Sequence, residues 1–458
     1  MLTYELKKAP GVPLYEALYR CIRQDILDGN LKPGEKLPSK RALAQHLELG
    51  KITVEAAYAQ LLDQGYIRSQ EKIGYFVEEV ERPAPAPAHP PRAKEAAPPP
   101  VLDLTVNGTG HFPFTVWSRL QREVILDYDR QLLLPLPNQG IPELRQAIAG
   151  HLAAFRGMAI DPENILIGAG TDFLYNLLIQ LLGREKTYAV EEPGYGKIRK
   201  IYAANAVSCV SAAMDDLGVI PQGLEKAQVL HISPSHHFPT GLVTPLSRRQ
   251  ELLSWAGNTN WIIEDDYDSE FRFASHPLPA LQSLAPDRVI YINSFSKSLA
   301  PSIRISYVVL PSRLMEQFRS RLGFYGCTVP SFEQHTLARF LSGGHFEKHI
   351  NRMRRFYQKR RNLVVEALSR CAAAEKLTIL EQDAGLHFLL QVDTQWSDQR
   401  LTRWLLELGI RIQPLSSFYH AAPPGDLHCL VVNYSGLEEA QLEEALRRLE
   451  QGMAELSG

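Results

Sequence analysis

The stretch from residue 294 to residue 304 reads SFSKSLAPSIR, and it decides what the larger part of this chain can be. Lys297 follows the β-like run VIYIN and lies between small hydroxyl residues. A lysine amine can form a Schiff base with a carbonyl cofactor, while Ser294, Ser296 and Arg304 offer hydroxyl and guanidinium donors to that cofactor's phosphate. The alternative for a lysine in a serine-rich loop is a solvated surface residue, so the rest of the chain must decide.

Length and composition indicate a cytoplasmic protein of two or three domains. The chain has 458 residues, more than one core normally holds, and its 45% hydrophobic and 22% charged residues are ordinary for a soluble protein. The net charge of −2 gives no global sign of affinity for nucleic acid or membranes. The five cysteines form no C-x-x-C pair, no metal-ligand spacing is evident, and no apolar run approaches ~20 residues. We therefore predict no metal site and no membrane segment.

A segment rich in proline and alanine divides the chain. Residues 79–100 contain PAPAPAHPP and later PPP, a composition that favours extended polyproline II and cannot bury a core. This segment predicts a semi-rigid linker between an N-terminal domain at residues 1–78 and a C-terminal domain at residues 101–458.

The N-terminal domain has the pattern of a winged helix-turn-helix. Apolar residues recur at helical spacing in three segments that end at Gly29, before Gly50 and at Gly65, and two short strands follow around Gly74. Five Lys and Arg against two Glu between residues 32 and 51 suit contact with phosphates. The alternative is a small helical dimerisation domain with a solvated basic face.

Four short motifs in this domain favour DNA binding. LPSKRALA, TVEAAY, GYI and GYFV occur in an order that resembles the GntR-type winged helix over nearly all of residues 11–78. The resemblance implies operator binding, with the start of the third helix in the major groove and the hairpin as a wing. Where that family usually has Ser-Arg, this chain has Gly50-Lys51, which replaces a bidentate guanidinium by a point charge. The predicted DNA contacts are Ser39, Lys40, Arg41, Lys51, Thr53, Lys72 and Gly74.

The C-terminal domain alternates strand-like and helical segments, which favours a mostly parallel sheet with helices on both faces. The motif ILIGAGTD runs from a strand into a turn at Gly170 and Thr171, where backbone N–H groups can bind an anion. The motif WIIEDDY ends in acids: Asp265 can keep a pyridine nitrogen protonated, and the Tyr267 phenol can bond a ring oxygen. Tyr195 follows another strand and can stack on a planar cofactor. Each feature taken alone also fits a solvated loop or a core residue.

Together these motifs resemble the fold-type I aminotransferases over roughly residues 101–455, with a small C-terminal α/β subdomain. Winged helix, proline-rich linker and aminotransferase-like domain together look like the MocR/GabR family of bacterial transcription regulators. The resemblance implies pyridoxal 5'-phosphate as cofactor and Lys297 as the Schiff-base lysine. The residues that it assigns to the cofactor are Gly170, Thr171, Tyr195, Asp265, Tyr267, Ser294, Ser296, Lys297 and Arg304.

Two positions depart from the aminotransferase pattern. Phe238 stands where those enzymes usually have the asparagine that assists the residue at Tyr267, and phenylalanine cannot hydrogen-bond. Val431 aligns with the arginine that clamps the α-carboxylate of an amino-acid substrate. Arg411 and Lys197 are alternative cations that could fill the same space.

The sequence therefore predicts a homodimeric regulator that binds operator DNA and senses pyridoxal phosphate, an amine or an amino acid. One alternative is a working aminotransferase with an accessory DNA-binding domain, which Phe238 and Val431 argue against. Another is a domain that binds a small ligand without a cofactor.

Overall fold

The computed structural model of the protein divides into two compact units, residues 1–96 and residues 97–458. Lys72, predicted to lie in the wing, falls outside the described residues. The structure describes residues 2–4, 13–71, 73–80, 102–106, 108, 111–273, 278–370, 374–381, 385–436 and 438–455.

The first unit is a three-helix domain with a hairpin, as the sequence predicts. Gly29 ends the first helix with a φ of 79°, a conformation that glycine adopts without strain. The Ser39 side chain accepts a hydrogen bond from the Ala42 N–H and so begins the second helix. Leu18, Ile22 and Leu61 are fully buried at the centre of the domain. The elements are α1 Leu14–Asp28, α2 Lys40–His46, α3 Lys51–Asp63, β1 Ile67–Gln70 and β2 Gly74–Val77, with β1 antiparallel to β2.

The second unit contains an eight-stranded sheet, a four-stranded sheet and a parallel pair of short strands. Its strands are β3 Leu102–Asp103, β4 Ile165–Gly168, β5 Thr187–Glu192, β6 Ser208–Asp215, β7 Gly218–Val219, β8 Val229–Ile232, β9 Trp261–Asp265, β10 Val289–Ser294, β11 Ser306–Val309, β12 Leu377–Leu380, β13 His387–Val392, β14 Ile410–Arg411, β15 Gln413–Pro414 and β16 Cys429–Asn433.

Helices cover both faces of the large sheet. The helices of this unit are α4 Phe114–Tyr128, α5 Pro142–Arg156, α6 Thr171–Leu182, α7 Gly196–Ala204, α8 Leu246–Ala256, α9 Leu281–Leu284, α10 Phe295–Ser298, α11 Ser312–Arg321, α12 Ser331–Ser342, α13 His345–Arg370, α14 Asp398–Glu407 and α15 Glu439–Glu455.

The strand order of the large sheet is β4-β11-β10-β9-β8-β5-β6-β7. The pairs β10 with β9, β9 with β8, β8 with β5 and β5 with β6 are parallel, and β11 runs antiparallel to both of its neighbours. Ile262 packs into a core on one face with α8, and Ile263 packs into a core on the other face with α6. Because both faces are buried, these strands read as continuous apolar runs in the sequence. The predicted mostly parallel α/β fold is confirmed.

The C-terminal part of this unit carries the smaller sheet, with strand order β12-β13-β16-β15. Along β16, Leu430 and Val432 join the large core, while Val431 faces a separate small cluster. This alternation follows from the two-residue period of a strand. Among the described residues, no helix is long and apolar enough to cross a membrane.

Candidate functional site

The predicted cofactor residues gather at one edge of the large sheet. Parallel strands bring their carboxyl ends to the same edge, where ligands of α/β sheets commonly bind. Strand β5 ends at Glu192, β9 at Asp265 and β10 at Ser294. Gly168, at the end of β4, belongs to the same edge because Ser306 of β11 pairs with both Gly168 and Ser294.

Lys297 lies on the four-residue helix α10, directly after β10. The sequence places it in a loop, and the difference arises because Ser294 caps a helical turn by accepting from the Ser296 N–H at 3.2 Å. The lysine is partly buried, and desolvation lowers its pKa while the negative charge of Asp268 acts in the opposite direction. A lowered pKa raises the fraction of neutral amine, the form that attacks a carbonyl carbon.

Three serine hydroxyls form a short network beside this lysine. Ser294 Oγ lies 2.9 Å from Ser296 Oγ and accepts from Ser306 Oγ at 2.8 Å. Ser294 and Ser306 are buried, whereas Ser296 is partly exposed. The network therefore holds Ser294 and Ser296 side by side at the sheet edge.

Arg304 approaches the glycine turn before α6 very closely. Its Nη2 donates to Ala169 O at 3.2 Å, and a Cβ added to Gly170 would lie 2.2 Å from Nη2. Gly170 has a φ of 89°, so its position requires glycine both for conformation and for space. The guanidinium, the helix N-terminus and the serine hydroxyls together make a donor set that suits a phosphate group.

The Asp172 carboxylate forms ion pairs with two basic side chains at this edge. Asp172 Oδ1 lies 2.7 Å from Lys197 Nζ, and its Oδ2 lies 3.7 Å from Arg304 Nη2. Lys197 is thus paired beside the glycine turn, and its amine does not extend as an isolated charge.

Asp265 is 7% exposed and has two buried polar neighbours on adjacent elements. Tyr175 Oη donates a short hydrogen bond to Asp265 Oδ2, and burial raises the pKa of this phenol well above its ordinary value. His231 Nε2 lies 3.5 Å from the same oxygen, while Tyr202 Oη lies 2.7 Å from His231 Nδ1. These contacts fix the carboxylate at the end of β9, where it can face a ring nitrogen.

Tyr267 has a histidine partner that the sequence analysis did not assign. Its Oη lies 3.2 Å from His236 Nδ1, which also lies 2.9 Å from Asp268 Oδ2. His236 Nε2 is buried and has no hydrogen-bond partner among the described residues. A Cβ on Gly385 would lie 1.8 Å from the His236 ring, so that glycine makes room for it. His236 thereby gives Tyr267 a polar partner that Phe238 cannot provide.

A largely buried acid, Glu191, lies on β5, the strand next to β8. Desolvation raises the pKa of Glu191 from 4.5 to about 8, although the Ser233 N–H donates to its carboxylate at 3.1 Å. His237 Nε2 lies 3.5 Å from Glu191 Oε2, and burial lowers the pKa of His237 to about 3. Burial thus favours the neutral form of both groups in this pair.

Phe238 and Val431, the two residues that depart from the aminotransferase pattern, belong to the same apolar cluster. Val431 pairs with Leu389 and with Gln413, and its side chain is 5% exposed. The apolar cluster, as we name it, has a buried part of Leu389, Cys429 and Val431, against which Phe238, Leu415, Phe418 and Leu427 pack. Tyr195, half exposed, has its ring 6.0 Å from that of Phe238.

In the first unit, the predicted DNA-contact residues occupy three places. Arg41 is exposed on α2, and Lys51 and Thr53 lie in the first turn of α3. Lys51 Nζ lies 3.5 Å from Glu55 Oε1, an exposed pair of small energetic value. Gly74 begins β2 with a φ of 137°.

Two of these residues also support the fold. The Ser39 hydroxyl is used to cap α2, and the Lys40 Nζ lies 5.1 Å from the centre of the Tyr75 ring. Ile52, which the sequence analysis passed over, is 81% exposed beside Lys51. An apolar side chain exposed in the first turn of a recognition helix can contact the thymine methyl group.

Three residues near the site were not predicted, although the sequence contains a feature that indicates each of them. Tyr175 lies one helical turn after Thr171, so it reaches the same edge as the glycine turn. His231 belongs to the buried strand β8, where a histidine needs a partner. His236 is a polar residue two positions before Phe238, and this position indicates it as a substitute partner for Tyr267.

Two family models match the chain. Residues 14–77 match the model for bacterial regulatory proteins of the gntR family, and residues 99–449 match the model for aminotransferases of class I and II. The protein is therefore of the class that joins a gntR-type DNA-binding domain to an aminotransferase class I and II domain.

Full-length relatives define the family further. The HTH-type transcriptional regulator YdeL of Bacillus subtilis is 36% identical over 98% of each chain. The probable rhizopine catabolism regulatory protein MocR of Rhizobium meliloti is 32% identical over 97% of this chain and 94% of its own. The pyridoxine biosynthesis transcriptional regulator PdxR of Corynebacterium glutamicum is 30% identical over 87% of each. The chain belongs to the MocR/GabR-type HTH transcriptional regulators.

Solved aminotransferases share the fold of the second unit. Kynurenine aminotransferase of Pyrococcus horikoshii has a TM-score of 0.68 at 24% identity and covers 78% of this chain and 91% of its own. An archaeal alanine:glyoxylate aminotransferase has a TM-score of 0.70 at 20% identity, with 78% and 92% covered. At these identities the likeness shows the fold alone.

Proposed function

We propose that this transcription regulator binds pyridoxal 5'-phosphate at Lys297 and binds operator DNA through α3, and that a small-molecule ligand at the cofactor site controls its DNA binding in the cytoplasm. The observation that carries the proposal is the gathering of a desolvated lysine, a buried carboxylate and a phosphate-type donor set at one sheet edge, in a chain that also has a winged helix.

The residues at the sheet edge fit pyridoxal phosphate. The close approach of Arg304 to the turn at Gly170 leaves no room for a Cβ, as expected where backbone N–H groups and a guanidinium converge on an anion. The buried His236 Nε2, without a partner among the described residues, points to a polar group beside Tyr267. When bound, the cofactor supplies a carbonyl group that condenses with amines and a ring that acts as an electron sink.

The chain's own residues would each serve that cofactor in a definite way. Lys297 presents its amine, Asp265 holds a proton on the ring nitrogen, and Tyr267 bonds the ring oxygen. Tyr195 stacks on the ring, while Thr171 at the start of α6 helps to hold the phosphate. Tyr175 and His231 keep Asp265 in place, so its carboxylate does not have to reorganise.

DNA recognition would use the first turn of α3 in the major groove. Lys51 and Thr53 reach bases or phosphates, Ile52 contacts a thymine methyl group, and Arg41 holds the backbone. A homodimer would place two such helices on two half-sites, so the spacing of the half-sites follows from the dimer's arrangement. A ligand that favours one arrangement changes operator affinity by its differential binding to the two.

The first experiment tests the cofactor assignment. The purified protein should show a visible absorption band with bound pyridoxal phosphate, and Lys297→Ala should lose that band because its amine is gone. Lys226→Ala, which removes an exposed lysine, is the matched control and should keep it. A wild type that stays colourless after addition of pyridoxal phosphate would refute the assignment.

The same protein tests the rival function. A working aminotransferase would turn over an amino acid with 2-oxoglutarate at a steady rate, and the presence of both Lys297 and Asp265 at the sheet edge permits that chemistry. We expect negligible turnover together with specific DNA binding. Steady turnover with no sequence-specific DNA binding would favour the enzyme.

A further inference from the structure

The apolar cluster adjoins two of the predicted cofactor residues, Tyr195 directly and Tyr267 through two histidines. The His387 ring is 5.1 Å from the Phe238 ring and 5.0 Å from the His236 ring, and His236 in turn contacts Tyr267. Burial lowers the pKa of His387 well below its ordinary value, the neighbouring His236 acts in the same direction, and the charge of Lys297 adds a smaller effect. A path of side chains thus joins Tyr267 to the cluster.

The cluster presents an apolar surface towards accessible space. Leu389, Cys429 and Val431 are buried, but Phe238, Leu415 and Phe418 are only partly buried. The Phe238 and Phe418 rings meet edge to face with their centres 5.2 Å apart. An apolar group placed against these rings would be removed from water, which favours binding by roughly 25 cal/mol per Å² buried.

Arg411, Lys197 and Arg199 are each already paired with a carboxylate. Arg411 Nη1 lies 3.1 Å from Asp103 Oδ2, on a pair of strands, β14 and β3, separate from the sheet that holds Val431. Lys197 is paired with Asp172, as described above. Arg199 Nη2 lies 2.8 Å from Glu192 Oε2. The two alternative anchors considered from the sequence, Arg411 and Lys197, are therefore each engaged elsewhere.

With these three described cations engaged elsewhere, a carboxylate against this cluster would lose its hydration without gaining one of them as a charged partner. Such burial is strongly unfavourable for an ionised group, whereas an alkyl or aromatic substituent gains from it. We propose that the ligand of this site is a primary amine with an apolar substituent and no carboxylate group; this rests on the proposed function, since the cofactor at Lys297 supplies the reactivity towards amines.

The experiment uses pairs of compounds that differ only in the carboxylate. The full-length protein with bound pyridoxal phosphate is titrated with 2-phenylethylamine and with phenylalanine, and then with 3-methylbutylamine and with leucine. The readouts are the shift of the visible band and the change in melting temperature. Each amine should bind at least about tenfold more tightly than its amino acid, since one unpaired charge is worth at least that factor.

A substitution should reverse the preference. Val431→Arg places a guanidinium in the cluster and should bring the affinity for phenylalanine to or above that for 2-phenylethylamine, because a bidentate pair becomes possible. Val431→Leu keeps the site apolar and is the matched control, which should retain the preference for the amine. The wild-type comparison stands alone if Val431→Arg does not fold.

Different results overturn different claims. A wild type that binds the amino acids more tightly than the matched amines contradicts the proposal, wherever the responsible cation lies. A wild type whose band responds to neither compound contradicts it as well. In both cases a band that depends on Lys297 leaves the proposed function standing, whereas loss of the band itself refutes the proposed function.

Discussion

Replacing Gly170 with alanine should weaken cofactor binding while leaving the fold intact. The new Cβ would lie 2.2 Å from Arg304 Nη2 and 2.5 Å from its Cζ, so the guanidinium must move by more than about 1 Å to reach ordinary contact. The backbone at φ 89° and ψ 160° lies in a region essentially restricted to glycine, which adds strain of about 1–3 kcal/mol for a residue with a side chain. Losing one charge-assisted hydrogen bond, about 1.5–3 kcal/mol, lowers affinity roughly tenfold to about 150-fold.

The assay is a titration of the apo protein with pyridoxal phosphate, followed by the visible band. Gly150→Ala is the matched control: this glycine lies within α5, nothing lies within 4 Å of an added Cβ, and alanine suits a helix better. It should leave cofactor affinity unchanged. Unchanged affinity in Gly170→Ala would refute the idea that Arg304 and this turn hold the phosphate together.

Three further outcomes are expected. Arg41→Ala should weaken binding to all DNA sequences and flatten its salt dependence, as measured by fluorescence anisotropy at several salt concentrations, because a phosphate contact is lost. Ile52→Ala should reduce discrimination between the preferred site and a site with thymine replaced by uracil, which lacks the methyl group; equal discrimination in both proteins would contradict the contact. Glu191→Gln should flatten the pH dependence of apo-protein stability. Because the pKa of Glu191 is raised to about 8 in the folded protein, the unfolded chain loses this proton first as the pH rises. The free energy of unfolding of the wild type therefore falls between about pH 4.5 and pH 8, by at most about 1.4 kcal/mol per pH unit. Urea unfolding across that pH range measures this change.

The parts of the fold that local pattern determines could be predicted from the sequence. The buried strand ending at Asp265 and the strand before Lys297 are continuous apolar runs, and the turn at Gly170 is marked by its glycines. Because the strands are parallel, their ends had to meet at one edge. The site residues therefore gathered as the order of the motifs suggested.

What escaped prediction depends on contacts between distant segments. His236 reaches Tyr267 because Gly385, from a later part of the chain, leaves room for its ring. The meeting of Phe238 with Val431 requires the smaller sheet to pack against the loop after β8. Neither contact has a periodic signal, so no local pattern could reveal them. The short helix at Lys297 was missed because its four residues are fewer than a helical pattern needs.

The central claim is that one chain couples a cofactor site at Lys297 to DNA binding by the winged helix. The most direct test selects preferred DNA from a random pool with the full-length protein, and then measures the affinity for that DNA with and without pyridoxal phosphate, in the wild type and in Lys297→Ala. The account predicts that the cofactor changes the affinity of the wild type and that Lys297→Ala no longer responds. An affinity that is the same with and without cofactor in the wild type, or a response that survives in Lys297→Ala, would contradict the account.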